Sequence, residues 1–315
     1  MGKIELSTVY TKCKENTMHM QKDQITLKAM AKINLGLDVV RRREDGYHEV
    51  RMIMQNIYLY DMLTMKKRDD AQINLSTNLH FLPTNENNLV YKAVKLLTDE
   101  FEIKQGIDIE LKKRIPVAAG MAGGSTDAAA AMVGVNKLFQ LGLSQQALMD
   151  RGVRIGADVP YCIMRGTALS EGIGEILTPL PQIPKCHVLI AKPGISVSTK
   201  YVYENLRANE LTRHPDIDGI VHAIKSQDLK GIADKLENVL ETVTIKEHPI
   251  IEEIKAFMIE RGALNALMSG SGPTVFGLYS DKATAQRAYR ELKDARLARQ
   301  VFLTETYHVR RVSNG

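Results

Sequence analysis

The sequence is poor in cysteine and has no long uninterrupted apolar run. Its three cysteines, Cys13, Cys162 and Cys186, lack the spacing of a metal site and fit a reducing cytoplasm with no disulfide framework. No apolar stretch is long enough to cross a bilayer, and the N-terminus has no apolar signal core. We therefore expect a cytoplasmic protein with no membrane partner and no metal site built from its cysteines.

Charge is only mildly unbalanced. The net charge is +5 and the sequence pI is about 8.9, a balance that suits anionic ligands but is too weak to indicate a nucleic-acid partner. Basic clusters occur at residues 41–43 and 112–114. Taken alone, each cluster is typical of a solvated surface.

The 315 residues are enough for two domains with a substantial core. Residues 1–23 are polar and have no sustained period, which predicts a flexible extension. A cluster of three prolines, Pro179, Pro181 and Pro184, marks the predicted boundary between a domain at 24–178 and a second domain at 179–315. In the first domain the sequence predicts strands, a helix, a further strand, and then a glycine-rich loop followed by a helix. This order indicates an α+β fold.

Order begins near Ile25 with apolar residues at every second position up to Leu37. This period of two predicts a half-buried strand. Lys32 and Asn34 then lie on the polar face, where a lysine usually points into solvent.

A run of small residues at 116–126 precedes an alanine-rich segment that predicts a helix starting at Ser125. Small residues let the backbone approach a ligand closely, and a helix N-terminus adds unpaired N–H groups, so the run fits a phosphate-binding loop. It is neither the Walker pattern nor the dinucleotide fingerprint, and a tight turn before a helix remains the alternative. The predicted nucleotide-binding residues are Pro116, Val117, Ala118, Ala119, Gly120, Met121, Ala122, Gly123, Gly124, Ser125 and Thr126.

A Gly-Ala-Asp-Val-Pro corner at 156–160 places Asp158 between apolar neighbours. The residue fits either a helix or turn cap, which Asp strongly prefers, or a buried functional carboxylate. A second glycine loop, Ser-Gly-Ser-Gly-Pro, follows at 269–273 between two predicted strands.

Taken in order, the motifs resemble the galactokinase, homoserine kinase, mevalonate kinase and phosphomevalonate kinase (GHMP) superfamily. The motifs are Ala31-Lys32-Ile33-Asn34-Leu35, Asp45-Gly46-Tyr47-His48, the small-residue loop, Gly156-Ala157-Asp158-Val159-Pro160 and the late glycine loop. The resemblance runs from about Ile25 to about Tyr279. It implies a two-domain fold, with an N-terminal ATP-binding domain of the ribosomal-S5-like type and a C-terminal ferredoxin-like domain.

The resemblance also implies ATP-dependent phosphorylation of a tertiary hydroxyl on a cytidine-diphosphate-linked polyol, a step in isoprenoid synthesis. From the matching motifs, the resemblance implies that Asp158 is the general base and that Lys32 assists it near the γ-phosphate. Tyr47 and Tyr203 would sandwich the cytosine, with His48 and Asn34 making polar contacts. A surface role for His48 stays open. ATP and Mg²⁺ are the expected cofactors, and the sequence leaves open whether Mg²⁺ has protein ligands.

The loop departs from the common form of the superfamily at three positions: Met121 replaces leucine, Ala122 glycine and Thr126 serine. Ala122 is tolerable where its φ is negative and costs stability where φ is positive. Two alternatives remain: another small-molecule kinase of this superfamily, acting for example on mevalonate, or a nucleotide-binding regulator without catalysis. We expect a monomer or a weak homodimer.

Overall fold

The computed structural model describes residues 23–309. The predicted extension therefore lies outside the described residues except for Asp23, as do the last six residues of the predicted second domain. The described chain forms one sheet of seven strands and one of four strands, with helices packed against both. This is the predicted α+β fold.

The larger sheet has the order β3-β4-β2-β1-β8, with β5 paired to β2 and β6 paired to β5. Its strands are β1 (Gln24–Arg42), β2 (His48–Lys67), β3 (Ile73–Thr77), β4 (Ile107–Lys112), β5 (Thr167–Glu171), β6 (Ile176–Pro179) and β8 (Glu237–Asn238). The first two are long antiparallel partners joined at a turn, where Gly46 has φ +86° and the Tyr47 N–H donates to Asp45 Oδ1.

Four helices accompany this sheet: α1 (Leu89–Glu100), α2 (Gly123–Leu138), α3 (Gln145–Gly152) and α4 (Val159–Met164). Sequence signals mark several of their starts. The Asn88 side chain caps α1, and the Ser144 side chain accepts from the N–H of Ala147 in α3. Alanines on α2 pack into the main core.

The smaller sheet has the order β11-β7-β10-β9 and is antiparallel throughout. Its strands are β7 (His187–Lys192), β9 (Asn265–Met268), β10 (Val275–Tyr279) and β11 (Gln300–Glu305). The helices in this half are α5 (Thr199–Asn205), α6 (Ile217–Lys225), α7 (Leu229–Asp234), α8 (Glu241–Glu247), α9 (Ile250–Glu260) and α10 (Lys282–Ala295). With α9 before β9 and α10 between β10 and β11, this is the predicted ferredoxin-like arrangement.

The prediction of a half-buried first strand is wrong for the middle of β1. Every residue from Ala29 to Val39 is buried, because one core cluster packs around Ala29, Leu37 and Val39 and a second packs around the segment between them. Register shifts at three points along the β1–β2 pair change which face a side chain occupies. A solvent-facing Lys32 is excluded, since only 5% of it is exposed.

Strand β8 connects the two halves of the chain. It comes from the C-terminal half but pairs in parallel with Gly36 and Leu37 of β1. The α6 helix packs against β1, where the side chains of Ile217 and Ile220 leave no room for a Cβ at Gly36. The boundary at residue 178 stays a prediction. None of the helices in residues 23–309 combines the length and apolar character that crossing a bilayer requires.

Candidate active site

The small-residue loop lies against β1. The backbone N–H of Lys32 donates to the Met121 carbonyl at 3.2 Å, and the Thr126 hydroxyl donates to the Met30 carbonyl at 2.8 Å. The Thr126 hydroxyl is therefore buried and used within the protein, whereas Ser125 is only half-buried. These contacts fix the loop next to the strand that carries Lys32.

Helix α2 begins at Gly123, two residues before the predicted start at Ser125. Its first intrahelical donor is the N–H of Thr126, which bonds the Ala122 carbonyl at 2.9 Å. The N–H groups of Gly123, Gly124 and Ser125 precede that bond and have no intrahelical acceptor. Three such groups at the positive end of a 16-residue helix suit an anion such as a phosphate.

The loop backbone is left-handed at three positions: Ala118 has φ +49°, Gly120 +69° and Ala122 +54°. Gly120 needs its small size as well, because a Cβ there would lie 2.0 Å from the Ser269 carbonyl oxygen. Ala122 has the positive φ that costs stability, since the left-handed conformation is unfavourable for an L-residue by roughly 1–2 kcal/mol. The loop thus holds strain at two alanines.

A buried ion cluster joins the two stems of the loop. Lys113 Nζ donates to Asp127 Oδ2 at 2.6 Å and also to Asp61, whose other oxygen accepts from the backbone N–H of Ile115 at 2.8 Å. At most 4% of each of these three ionic side chains is exposed. The expectation of a solvated surface cluster at 112–114 is therefore wrong for Lys113, because its ammonium has two buried carboxylate partners.

Proton affinities in this cluster follow from burial and from the shared ammonium. Burial raises the pKa of the Asp127 carboxyl well above its ordinary value, and the attraction of Lys113 only partly offsets it. Burial alone would lower the pKa of Lys113, but the two carboxylates outweigh it and raise that pKa. Asp127 Oδ1 has no hydrogen-bond partner among the described residues.

Lys32 and Asn34 form a buried polar pair on β1. Lys32 Nζ donates to Asn34 Oδ1 at 2.7 Å, and the Asn34 amide lies 3.3 Å from the Met52 sulfur. Asn34 is completely buried. The Lys32 ammonium is therefore oriented by the Asn34 amide. It forms no ion pair with Asp158, whose carboxylate oxygens lie more than 4.0 Å away.

Asp158 occupies the N-cap position of α4, but its side chain makes no capping hydrogen bond. Its negative charge acts on two neighbouring groups. Burial is the larger cause and the Asp158 carboxylate the next cause that raises the pKa of the buried Cys162 thiol and of the partly buried Tyr203 hydroxyl. Lys32 acts on the same thiol in the opposite direction. The charges of Asp158 and Lys32 thus both act on the Cys162 thiol, and that of Asp158 also acts on the Tyr203 hydroxyl.

Two of the predicted base-binding residues are brought together from distant parts of the chain. The rings of His48, at the start of β2, and Tyr203, on α5, have centroids 5.1 Å apart and are tilted by 47°. Burial and the nearby Arg42 lower the pKa of His48, which favours the neutral imidazole. Tyr47 is 61% exposed at the turn before β2.

The second glycine loop lies directly against the first. The Ser269 hydroxyl donates to the Gly120 carbonyl at 2.9 Å, and the Ser271 hydroxyl is 2.8 Å from that of Thr199 at the start of α5. The loop therefore contacts both the phosphate loop and the helix that carries Tyr203. Sequence reasoning missed Thr199, because a lone threonine in the first turn of a short helix is an ordinary residue in that position.

No functional role was predicted for Asp61, Lys113 and Asp127. One signal was present: Asp127 is followed by six residues of an apolar helix, where an isolated carboxylate needs a buried partner. Within residues 23–309 no three His, Cys, Asp or Glu side chains form a group suited to a metal ion.

Comparison with known proteins gives consistent results. The models for the GHMP kinases N terminal domain and the GHMP kinases C terminal domain match residues 88–166 and 220–297. A protein of Lachnoclostridium phytofermentans named 4-diphosphocytidyl-2-C-methyl-D-erythritol kinase is 59% identical over 92% of this chain and 100% of its own length. A protein of the same name from Clostridium perfringens is 51% identical over 89% of this chain and 97% of its own length.

Solved structures agree with the sequence comparisons. A crystal structure of 4-(cytidine 5'-diphospho)-2C-methyl-D-erythritol kinase matches with a TM-score of 0.78 and 29% identity, covering 90% of this chain and all of the other. A homoserine kinase from Cytophaga hutchinsonii matches with a TM-score of 0.72 and 21% identity over 90% of this chain and 94% of its own, a likeness of fold.

Proposed function

Because the chain belongs to the 4-diphosphocytidyl-2-C-methyl-D-erythritol kinases, a family of ATP-dependent GHMP kinases, we propose that Asp158 and Lys32 carry its phosphoryl transfer. The acceptor is the tertiary 2-hydroxyl of 4-diphosphocytidyl-2-C-methyl-D-erythritol. The proton of that hydroxyl passes to the Asp158 carboxylate while its oxygen bonds to the γ-phosphorus. The bond from that phosphorus to the β–γ bridging oxygen breaks, and ADP leaves.

The observation that carries this proposal is the unused carboxylate of Asp158. An aspartate at an N-cap position normally accepts a backbone N–H two or three residues along, but this one does not. Its charge acts on the Cys162 thiol, as that of Lys32 does, and on the Tyr203 hydroxyl. Because this carboxylate caps no backbone N–H in the part of the chain that the structure describes, it is available to accept a proton from an alcohol within hydrogen-bond reach.

Lys32 supplies positive charge where the phosphoryl group moves. Its backbone N–H contacts the phosphate loop through the Met121 carbonyl, and its ammonium is oriented by Asn34. The side chain is 5% exposed, so little water screens its charge. A pre-oriented cation of this kind stabilises the charge that spreads over the transferring group.

The ATP phosphates would bind along residues 116–126, with the N–H groups of Gly123, Gly124 and Ser125 as donors. The Ser125 hydroxyl is an oxygen ligand of the kind that Mg²⁺ accepts, since this ion prefers oxygens and is usually held largely by substrate phosphates. When bound, Mg²⁺ would neutralise charge on the β- and γ-phosphates. Thr126 fits this role less well, because its hydroxyl is buried and donates to Met30.

The aromatic residues support the nucleobase end of the substrate. Tyr203 and His48 form one wall, and the exposed ring of Tyr47 is free to pack on the opposite face of a flat base. The neutral imidazole of His48 has both a hydrogen-bond donor and an acceptor for a cytosine edge.

The test is phosphoryl transfer from Mg²⁺-ATP to 4-diphosphocytidyl-2-C-methyl-D-erythritol, with mevalonate and homoserine as comparison acceptors. We expect transfer to the cytidine compound alone. Asp158→Asn keeps the shape of the side chain but removes its basicity, so turnover should fall by a factor on the order of 10² or more while nucleotide binding survives. Near-normal turnover in Asp158→Asn would exclude it as the base, and transfer to a comparison acceptor instead would overturn the substrate assignment.

A further inference from the structure

The second glycine loop, residues 269–273, sets the shape of the phosphate loop from the C-terminal half of the chain. Its Ser269 hydroxyl bonds the Gly120 carbonyl at 2.9 Å, and its carbonyl lies so close to Gly120 that any side chain there would collide. Gly270 is also close to Gly120, since a Cβ on it would lie 3.2 Å from the Gly120 carbonyl oxygen. A shift of this loop therefore moves Gly120 and with it the phosphate-binding backbone.

Three hydrogen bonds from one short segment hold the base of the second glycine loop. Asn238 Nδ2 donates to the carbonyls of Met268 and Gly270, both at 2.8 Å. Glu241 Oε1 accepts from the backbone N–H of Met268, also at 2.8 Å. Met268, the last residue of β9, is thus hydrogen-bonded through both its backbone N–H and its carbonyl oxygen.

We propose that Asn238 and Glu241 are positioning residues for the ATP phosphates, acting through the second glycine loop on Gly120. This inference rests on the proposed function and extends it to residues that touch neither substrate. Asn238 also pairs with Leu37 of β1 in the sheet that carries Lys32. The hydrogen bonds of Asn238 therefore fix the second glycine loop relative to β1 as well.

The chemistry of Asn238 fits this role closely. Its amide nitrogen has two donors and both are used, while its Oδ1 accepts from the Leu240 N–H at 3.0 Å. The residue is 3% exposed, so water does not replace a lost bond. A carboxylate of the same shape would direct negative charge at two carbonyl oxygens.

Glu241 acts through its acceptor oxygen rather than through its charge. Oε2 pairs with Lys255 at 2.8 Å, and Lys255 has a second partner in Glu252 at 3.2 Å. A glutamine at 241 can still accept from Met268 with its carbonyl oxygen, and Lys255 keeps Glu252. An alanine at 241 leaves the Met268 N–H without that acceptor.

The test compares Asn238→Ala with Asn265→Ala in the full-length chain. Asn265 is a matched control, because its amide donates to the Ala233 carbonyl at 2.8 Å in the same half of the molecule but touches neither glycine loop. Melting temperature, calorimetric binding of Mg²⁺ with a non-hydrolysable ATP analogue, and KM for ATP are measured for each variant. We expect both variants to melt earlier, but only Asn238→Ala to bind the analogue more weakly, by a factor on the order of ten.

The Glu241 variants supply an independent comparison. Glu241→Gln should keep analogue affinity within about twofold of the wild type and Glu241→Ala should lose roughly tenfold, about the worth of one hydrogen bond. If Asn238→Ala does not fold, Asn238→Asp replaces it and should also weaken analogue binding.

Equal analogue affinity in Asn238→Ala and Asn265→Ala would reduce Asn238 to a structural residue and overturn the proposal for it. Equal affinity in the two Glu241 variants would do the same for Glu241. Analogue binding is read without the acceptor, so these results are separate from the proposed reaction. That reaction fails when the wild-type protein transfers no phosphoryl group to the cytidine compound.

Discussion

Lys113 Nζ lies 2.6 Å from Asp127 Oδ2 and so connects the residue that follows β4 to the first turns of α2, across the whole phosphate loop. The same ammonium bonds Asp61 on β2. One buried cation therefore holds both stems of the loop to the sheet. Burying three charged groups is costly, and only their mutual pairing makes the arrangement tolerable.

Lys113→Met should destabilise the protein by about 3–5 kcal/mol, because it leaves two buried carboxylates without their counter-charge. Urea denaturation followed by circular dichroism measures the loss. Lys112→Met is the control, since Lys112 is 65% exposed and its ion-pair partner Glu110 is half-exposed; it should change stability by less than about 1 kcal/mol. Similar stabilities for the two variants would show that the buried cluster contributes little.

Ala122→Gly should stabilise the protein by up to about 1 kcal/mol. The φ of +54° is strained for alanine and free for glycine, although the added flexibility of the unfolded chain cancels part of the gain. Ala128→Gly, in the interior of α2, is the opposite case and should cost about 1 kcal/mol or more. Thermal melting of both variants checks the sign, and a lower melting temperature for Ala122→Gly would contradict the strain assignment.

Tyr203→Ala should raise KM for the cytidine substrate by roughly tenfold, since stacking on a base is worth about 1–3 kcal/mol. KM for ATP should change little, because the ring lies beside His48 and not at the phosphate loop. Tyr201→Ala on the same helix is the control, with a ring that is 44% exposed. Steady-state kinetics with each substrate varied in turn separates the two effects, and equal KM values for the two variants would remove Tyr203 from the base site.

His48 should titrate below the ordinary histidine value of 6.5 in the folded protein, because burial and then Arg42 lower its pKa. Its folded pKa is depressed, so the stability it contributes is present above pH 6.5 and is lost as the pH falls through the folded pKa. Arg42→Gln should raise the His48 pKa in an NMR titration. Arg41→Gln should leave it unchanged, since Arg41 pairs with Glu49. A His48 resonance that titrates at or above 6.5 would contradict this prediction.

Local sequence determined much of this protein. The Asn88 and Ser144 caps, the Asp45-Gly46 turn and the helical spacing of the α2 alanines depend on interactions within a few residues, so each could be predicted from the chain. The motif order indicated the GHMP family and therefore the two-domain fold. The left-handed φ of Ala122 was foreseen only as a condition, since the sequence does not give the sign of a backbone angle.

Only the tertiary structure decided which polar residues are buried and what they contact. Lys32 was expected to face solvent, but the phosphate loop lies against its strand and Asn34 binds its ammonium, so it is buried. Lys113 was expected on a basic surface, but Asp61 and Asp127 enclose it. Asn238 and Glu241 reach the second glycine loop from about 30 residues away. Such partners are distant in sequence, and a local pattern carries no information about them because burial and pairing arise only when separate elements pack together.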